Sequence, residues 1–318
     1  VDSSWYQFRF ISPNFSDAPF DKNLLESWGP VDQYTGGAEH AVMHLLYARF
    51  FTKALRDIGI LNFDEPFIRL FNQGHIISGA HKMSKSRGNV VAPDEFVEKY
   101  GADTVRCYLM FIGPWSQGGE WSDDGIKGMW RWMNRVWDIT SRDFSELENV
   151  NLSDESDGKL ARLTNKTIKS VYEDLKKFKF NTSLAILMQF TNDLNAIWEM
   201  KNIKRGTWVK AIESLILMLS PMAPHITEEM WQKLGNNFSI HSQKFPSWDE
   251  ELLKEDLITL VIQVNGRVRD TLEVSSETDE PEINQLVLNS SKVKKHIDGK
   301  KILKTIYIKG KLINIVVR

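Results

Sequence analysis

The chain has 318 residues, of which 42% are hydrophobic, and its 40 basic and 42 acidic side chains leave a formal net charge of −2. This is the composition of a soluble globular protein, and the length is typical of two or three domains. The apolar runs are all shorter than a membrane span, which excludes an integral membrane protein with helical spans.

The only cysteine is Cys107, so the chain has no intrachain disulfide, and this favours a reducing, cytoplasmic location. Cys107 lies in an apolar, helix-like run and is expected to be a buried, inert thiol. The sequence starts at Val1, without methionine or a signal-peptide pattern, and this predicts a fragment of a longer protein.

The first third of the chain alternates strand-like and helix-like patterns. Residues 31–34 predict a short strand broken by the following pair of glycines, and residues 39–58 predict a long helix with one apolar side. The segment EPFIRLFNQG predicts a short helix, and residues 74–78 predict a buried strand that leads directly into a basic loop. Two helices hinged near Gly101 follow the loop, so this region is expected to form an α/β layer.

The pattern becomes helical from about residue 123 to residue 234. Apolar residues recur at helical spacing, and SPMAPHITEEMW predicts that one helix stops at Pro221 and the next begins after Pro224. The acidic, turn-rich segment FSELENVNLSDESDG is expected to be an exposed connection between helices. A helical bundle is the natural arrangement for this region.

The last part of the chain is rich in β-branched residues. Asn265–Gly266 and Lys309–Gly310 each predict the turn of a hairpin, and residues 280–289 predict a helix between the two hairpins. We therefore predict an α/β part at 1–115, an all-α bundle at 116–245 and a small α+β domain at 255–318. Nine basic residues and one acidic residue between 290 and 318 favour either a polyanionic ligand or a solvated lysine-rich surface.

The loop HKMSKSRGN places Lys82, Lys85 and Arg87 within six positions. Three cations on a loop after a strand favour binding of a multiply charged phosphate, since each could form a charge-assisted hydrogen bond. The loop is not a Walker A motif, because Ala80 and His81 stand where that motif has its lysine and its hydroxyl residue. A solvated turn is the alternative interpretation.

The segment GGAEHAVMH permits two interpretations. His40 and His44 share a helix face next to Glu39, which is compatible with a metal site, but the zinc-protease order of residues and a third ligand are lacking. A glycine pair before a helix also allows close approach of a nucleotide, and an acidic residue there could bind a ribose hydroxyl.

The segment KMSKS resembles the second signature loop of class I aminoacyl-tRNA synthetases, and its context resembles the leucyl-tRNA synthetases of bacterial or organellar type. The resemblance covers essentially the whole chain and includes DQYTGGAEHAVMHLLYARFF, KMSKSRGNVVAPDEFVEKYGADTVRCYLMF, SPMAPHITEEMW and VIQVNGRVRD. It implies the second half of a Rossmann-like class I catalytic domain, followed by an anticodon-binding-type bundle and a small α+β tRNA-binding domain.

The resemblance also implies roles for individual residues. ATP, bound with Mg²⁺, and leucine would form leucyl adenylate, and the leucine would then pass to tRNA(Leu). The implied catalytic residues are Lys82 and Lys85. The implied ATP-binding residues are Gly36, Gly37, Glu39, His40, Met83, Ser84, Lys85 and Ser86. The implied leucine-binding residues are Ser3, Tyr6, Tyr34 and His40. The residues expected to bind tRNA are Arg131, Arg135, Lys294, Lys295, Lys309 and Lys311.

Three departures from the family limit this expectation. The sequence lacks the His-x-Gly-His signature, the editing domain and the leucine-specific insertion before the loop. We therefore expect the chain to need the missing N-terminal half of a synthetase and to be inactive alone. The alternatives are a non-catalytic tRNA-binding module and, less favoured by the residues, a metal hydrolase that uses Glu39, His40 and His44. No resident metal and no membrane partner are expected.

Overall fold

The structure is a computed structural model that describes residues 2–147, 154–253, 257–275 and 278–318. The chain forms two compact units, the first made of Val1–Leu160 and Thr167–Pro246 and the second of Ala161–Lys166 and Ser247–Arg318. The first unit contains an α/β part and a helical part, and the second contains a small sheet, so the expected mixture of α and β structure is confirmed. Within the described ranges, none of the helices is both long enough and apolar enough to cross a membrane.

The α/β part is built from short strands and helices. In chain order its elements are α1 (Tyr6–Arg9), α2 (Lys22–Trp28), β1 (Tyr34–Gly37), α3 (His44–Asp57), β2 (Leu70–Gln73), β3 (His75–Ser78), β4 (His81–Lys82), α4 (Pro93–Tyr100), α5 (Ala102–Phe111) and β5 (Gly118–Glu120). Strands β1 and β2 pair in parallel, and β3 pairs in parallel with β5 and antiparallel with β4. An apolar cluster of Phe8, Phe20, Leu25 and Leu61 holds the N-terminal segment.

Several expectations for this part are wrong in detail. The first strand runs through the glycine pair instead of ending before it, and EPFIRLFNQG forms no helix but leads into β2. Residues Ala38–Ala41 form a 3-10 turn, so the long helix starts only at His44. Strand β3 exists as expected, but it is exposed or half-buried rather than buried.

The two helices after the basic loop are confirmed, with Gly101 between them. Its φ of 85° lies in a region that glycine adopts at little cost, so α4 can end and α5 can begin at this residue. Helix α5 then packs against the helical part. Asp103 accepts a hydrogen bond of 2.7 Å from the Ile226 backbone, and Arg106 donates to the Met222 carbonyl at 3.2 Å. These contacts fix α5, the second helix after the loop.

The helical part buries many apolar side chains. Its helices are α6 (Asp123–Thr140), α7 (Asp154–Leu175), α8 (Phe180–Met200), α9 (Arg205–Leu219) and α10 (Pro224–Lys233). The Ser122 hydroxyl caps α6 by accepting from the Gly125 backbone, and Trp132 and Leu187 are among the fully buried side chains. The predicted break between α9 and α10 is confirmed. The predicted acidic connection is partly helical at both ends, and its residues 148–153 lie outside the described residues.

The second unit contains a four-stranded sheet and two helices. Its elements are β6 (Leu257–Val264), β7 (Arg267–Ser275), α11 (Glu280–Asn289), α12 (Ser291–Ile297), β8 (Ile302–Ile308) and β9 (Leu312–Val317). The strand order is β7-β6-β9-β8, with β6 and β9 parallel and the other pairs antiparallel. Both predicted hairpins and the predicted helix are confirmed. Asn265 and Gly266 both have positive φ, as the two-residue turn of the first hairpin requires.

Candidate active site

The glycine pair at the end of β1 makes room for two polar side chains. A Cβ on Gly36 would lie 2.7 Å from the Tyr34 hydroxyl oxygen, and a Cβ on Gly37 would lie 2.7 Å from Cδ of Glu39. These positions are closer than side-chain atoms can approach, so larger residues would displace the Tyr34 phenol and the Glu39 carboxylate. The absence of side chains at Gly36 and Gly37 therefore leaves room for the Tyr34 phenol and the Glu39 carboxylate beside the end of the strand.

Glu39 is the centre of a small charged group. Its carboxylate lies 3.9 Å from the Lys82 Nζ and 3.6 Å from the His75 Nε2. The pKa of Glu39 is lowered, first by a hydrogen bond from its own backbone N–H and then by the charges of Lys82, His75 and His40, while partial desolvation opposes this. Glu39 is therefore a carboxylate, able to accept hydrogen bonds.

The ion pair between Glu39 and Lys82 is loose. The two side chains are 45% and 64% exposed, and the separation is longer than a hydrogen bond. Solvent screens such a pair, so it contributes little to stability and breaks at little cost. Lys82 can therefore move to another anion without a large loss of free energy.

The predicted leucine-binding residues lie around one histidine that was not assigned to this role. The ring centroids of Tyr6, Tyr34 and His40 lie 5.6, 5.5 and 6.2 Å from that of His44. Burial raises the pKa of both tyrosines and lowers the pKa of His44. Ser3 lies in the 3-10 turn Asp2–Ser4, which packs against α3. The structure thus assembles a half-buried, mostly aromatic group next to the charged one.

The basic loop starts as a β-hairpin. Strand β4 turns back on β3 through Gly79 and Ala80, both of which have positive φ. The Ala80 backbone N–H donates to the Glu120 carboxylate at 3.1 Å, and this contact supports a conformation that is costly for alanine. The first arm of the loop, which carries Lys82, is therefore a defined strand rather than a flexible turn.

The second arm of the loop is a short 3-10 turn over Lys85–Arg87. The Ser84 and Ser86 hydroxyl oxygens lie 2.8 Å apart, and Asn89 bonds the Ser84 backbone. Met83 and Ser84 are half-buried, whereas Ser86 is exposed. The side chain of Lys85 lies outside the described part of the chain.

Sequence reasoning missed three residues near these groups, His75, Asn89 and Glu120, and it considered His44 only as a possible metal ligand. His75 and Glu120 come next to Glu39 and Ala80 only through strand pairing, so no local pattern could identify them. Asn89 is the last residue of HKMSKSRGN and closes the basic loop. An asparagine next to a glycine is a sequence signal for a turn, and it could have indicated this role.

The six residues expected to bind tRNA are all exposed. Arg131 and Arg135 lie one turn apart on α6, and the Arg135 guanidinium donates to the Asn192 side chain at 3.1 Å. In the second unit, Lys294 and Lys295 lie on α12, and Lys309 and Lys311 flank the turn between β8 and β9. Among the described residues, no group of three or more His, Cys, Asp or Glu side chains is arranged to hold a metal ion.

Two family models match the chain. The model described as tRNA synthetases class I (I, L, M and V) matches residues 17–122, which include the glycine pair and the basic loop. The model described as anticodon-binding domain of tRNA ligase matches residues 157–284. The fold and the site thus have the features of a class I tRNA synthetase.

Similar proteins give the narrower assignment. Over 316 residues, 99% of the chain, it is 51% identical to a leucine–tRNA ligase of Dehalococcoides mccartyi, and over 319 residues it is 50% identical to one of Rubrobacter xylanophilus. A crystal structure of the Agrobacterium radiobacter K84 LeuRS in ternary complex with tRNA and LeuAMS superposes with a TM-score of 0.90, at 34% identity, covering 100% of this chain and 42% of that one. The chain belongs to the leucine–tRNA ligase family and fits the C-terminal part of these enzymes. It spans 38% of the length of each of the two ligases.

Proposed function

We propose that this chain supplies the phosphate-binding loop, part of the ribose and leucine sites, and the tRNA-binding regions of a leucine–tRNA ligase. The activity is the ATP-dependent activation of leucine, with release of pyrophosphate, and transfer of leucine to tRNA(Leu). The observation that carries the proposal is the approach of Lys82 to Glu39 beside the glycine pair. A carboxylate and a loop cation at one strand end suit the two polar parts of ATP, the ribose and the triphosphate.

Each charged group has a distinct task in this proposal. Glu39, kept ionised by its hydrogen bond and its cationic neighbours, accepts hydrogen bonds from the ribose hydroxyls. Lys82 leaves its loose pair with Glu39 and, together with Lys85, binds the triphosphate, which enters with Mg²⁺ as the substrate complex. Because negative charge grows on the leaving pyrophosphate, cations fixed at that point lower the barrier more than they strengthen ATP binding.

The aromatic group supports a leucine site. Tyr6, Tyr34, His40 and His44 provide an apolar, half-buried surface of the kind that binds a branched aliphatic side chain, and Ser3 lies on the neighbouring turn. Tyr34 connects the two sites, since its ring packs over Gly36 in the strand that leads to Glu39. This arrangement would place the leucine carboxylate close to the nucleotide.

The remaining parts of the chain are assigned to tRNA. In this proposal the α/β part covers residues 1–115, the bundle covers 116–245 and the small domain covers 255–318. The exposed cations on α6, on α12 and around Lys309–Lys311 supply phosphate contacts, which act on affinity without reading sequence.

A further part of the ligase completes the site in this proposal. Leu46, Tyr47 and Phe50 on α3 are 55–72% exposed, and Val42 and Met43 just before it are also exposed. A group of exposed apolar side chains on neighbouring turns of one helix favours a contact with other protein. We assign it to the N-terminal part of the ligase, the source of the first signature motif.

Pyrophosphate exchange in an intact enzyme tests the proposal. We would replace the 316 aligned residues of the Dehalococcoides mccartyi ligase by this chain, giving a chimeric ligase. Lys82→Ala and Lys85→Ala should each lower kcat by roughly 10²- to 10³-fold with a smaller effect on KM, as for loss of a preorganised charge donor. Lys159→Ala, at an exposed site on α7, is the matched control.

Two results would count against the proposal. One is a chimeric ligase that folds but does not exchange pyrophosphate. The other is a loss of less than about threefold in both loop variants, which would show that the cations do not meet the transition state. Salt-sensitive tRNA binding by the chain alone, combined with an inactive chimera, would favour the non-catalytic tRNA-binding module.

A further inference from the structure

The side chain of Asn89 joins the two arms of the basic loop. Its Oδ1 accepts a hydrogen bond of 2.9 Å from the Ser84 backbone N–H, and its Nδ2 donates at 3.0 Å to the Ser78 carbonyl at the end of β3. The His81 and Lys82 carbonyls are also within 3.5 and 3.4 Å of the same nitrogen. One half-buried amide therefore bonds the strand before the loop and the turn that carries Lys85.

One of these bonds occupies a backbone group beyond the paired part of the hairpin, the Ser84 N–H. Strand β4 has only two residues, and its register with β3 ends at Lys82 opposite Ile77. Ser84 lies two residues beyond that point, outside the described strand pairing. An asparagine amide offers both a donor and an acceptor, so this one side chain bonds the Ser84 N–H and the Ser78 carbonyl at the same time.

The two arms of the loop are held in different ways. The Glu120 carboxylate fixes the tip of the hairpin through the Ala80 N–H, while Asn89 fixes the return of the chain. Lys82 lies on the first arm and Lys85 on the second. The separation and relative direction of the two lysine backbones thus depend on the amide of Asn89.

We infer that Asn89 is a positioning residue that holds the backbones of Lys82 and Lys85 at the spacing required to bind one triphosphate. This inference rests on the proposed function. Asn89 acts through the two lysines, and it need not touch ATP itself. Without it, the bond from Asn89 to the end of β3 would be lost, and each turnover would have to order the loop again.

Replacing Asn89 by aspartate or by alanine tests this inference, because the two variants lose different hydrogen bonds. In Asn89→Asp the carboxylate can still accept from Ser84, but it cannot donate to Ser78 and it adds a negative charge next to the phosphate site. In Asn89→Ala both bonds are lost. The Ser84 amide should therefore exchange faster with solvent in Asn89→Ala but keep its protection in Asn89→Asp, as hydrogen exchange of the chain itself would show.

Kinetics in the chimeric ligase supply the second measurement. Both variants should lower kcat for pyrophosphate exchange by roughly 10- to 100-fold, because misplacement of about 1 Å is costly in catalysis, whereas KM for leucine should change by less than about twofold. Asn284→Ala, a similar amide in α11 that donates to the Glu280 carbonyl, is the control and should leave the rate unchanged.

The outcomes separate this inference from the proposed function. Normal exchange by the parent chimera together with unchanged kcat in both Asn89 variants would overturn the inference alone. So would equal losses in kcat and in leucine affinity, since they would indicate a general structural defect. Loss of activity confined to kcat, with Ser84 exposed only in Asn89→Ala, would support the inference. An Asn89→Ala protein that fails to fold leaves the decision to Asn89→Asp, which has nearly the same volume.

Discussion

The strands around the basic loop and the strands of the small sheet in the second unit differ in how well they are covered. In β6 and β9, Leu260, Ile262 and Ile313 are completely buried and pack on helices α11 and α12. In β1 to β5, Gly37 is the only buried residue of the described strands. Parallel strands normally have helices on both faces, so the site region is the part of the molecule that requires more protein around it.

Two helices of the first unit show the same difference. Trp132 on α6 is 1% exposed and donates a hydrogen bond to the Thr191 hydroxyl, whereas Phe50 on α3 is 72% exposed. Both helices bury apolar residues within this chain, such as Leu45 and Ala48 on α3, but α3 also leaves a second apolar face, which includes Phe50, exposed. A sequence pattern therefore shows which face is made to be buried, but not which chain buries it.

The largest expected effect contrasts these two aromatic residues. Trp132→Ala should lower the free energy of unfolding of the helical part by about 3–5 kcal/mol, because it leaves a large cavity. Phe50→Ala in the same chain should change it by less than about 0.5 kcal/mol, as for an exposed site. Hydrogen exchange of the α6 and α8 amides would measure both. Similar costs for the two variants would contradict the described difference in burial.

A smaller effect on stability is expected where the rest of the ligase covers the exposed apolar face of α3. Phe50→Ser should have little effect on the chain alone, but in the chimeric ligase it should cost about 1.5–3 kcal/mol, the value of burying a large apolar side chain. Denaturant unfolding of both proteins, with Phe10→Ser as an exposed comparison, would test this. If the substitution is equally harmless in the chimera, the α3 face is not an interface with the rest of the ligase.

The features that could be predicted from the sequence are those controlled by local chemistry. Asn265–Gly266 predicted a hairpin because both residues tolerate positive φ, and the structure has both in that region. Gly101 predicted a hinge for the same reason. The break at SPMAPHITEEMW followed from the restriction that proline places on a helix. In each case the residues that determine the conformation are adjacent in the chain.

The features that could not be predicted depend on distant pairing. Gly36 and Gly37 are poor strand formers, yet they lie in β1 because Asn72 and Gln73 pair with them. The segment around Pro66 is extended for the same reason: Val31 and Phe67 form a bridge that no local pattern indicates. Tertiary context outweighed propensity in both places.

The same distinction between local and distant interactions applies to the candidate site. Glu39 and Lys82 could be proposed from short segments, but their approach to within 3.9 Å is visible only in the structure. Asn89 was part of the quoted loop and still had no assigned role, because its partner Ser78 lies 11 residues earlier, before the turn. Hydrogen bonds from side chain to backbone leave no periodic signal in a sequence.

The smallest expected effect concerns an ionic contact between helix α3 and the segment before β2. Arg49 on α3 donates two hydrogen bonds of 2.7 Å to Glu65 in the segment before β2, and Lys53 lies 3.2 Å from the same carboxylate. These hydrogen bonds, chiefly that from Arg49, lower the pKa of Glu65 from 4.5 to about 2. Part of the attachment of α3 is therefore ionic.

The sign of the pH effect follows from that shift. Because the folded pKa of Glu65 lies below the unfolded value, the pair stabilises the fold fully above pH 4.5, and this contribution disappears as the pH falls towards about 2. Arg49 and Glu65 are 53% and 42% exposed, so solvent screening limits the contribution to about 1 kcal/mol or less. The difference in stability between the parent chain and Glu65→Gln should therefore be largest near neutral pH and shrink in acid. In an Arg49→Met background the same comparison should lose most of this pH dependence, and an unchanged dependence would show that another group is responsible.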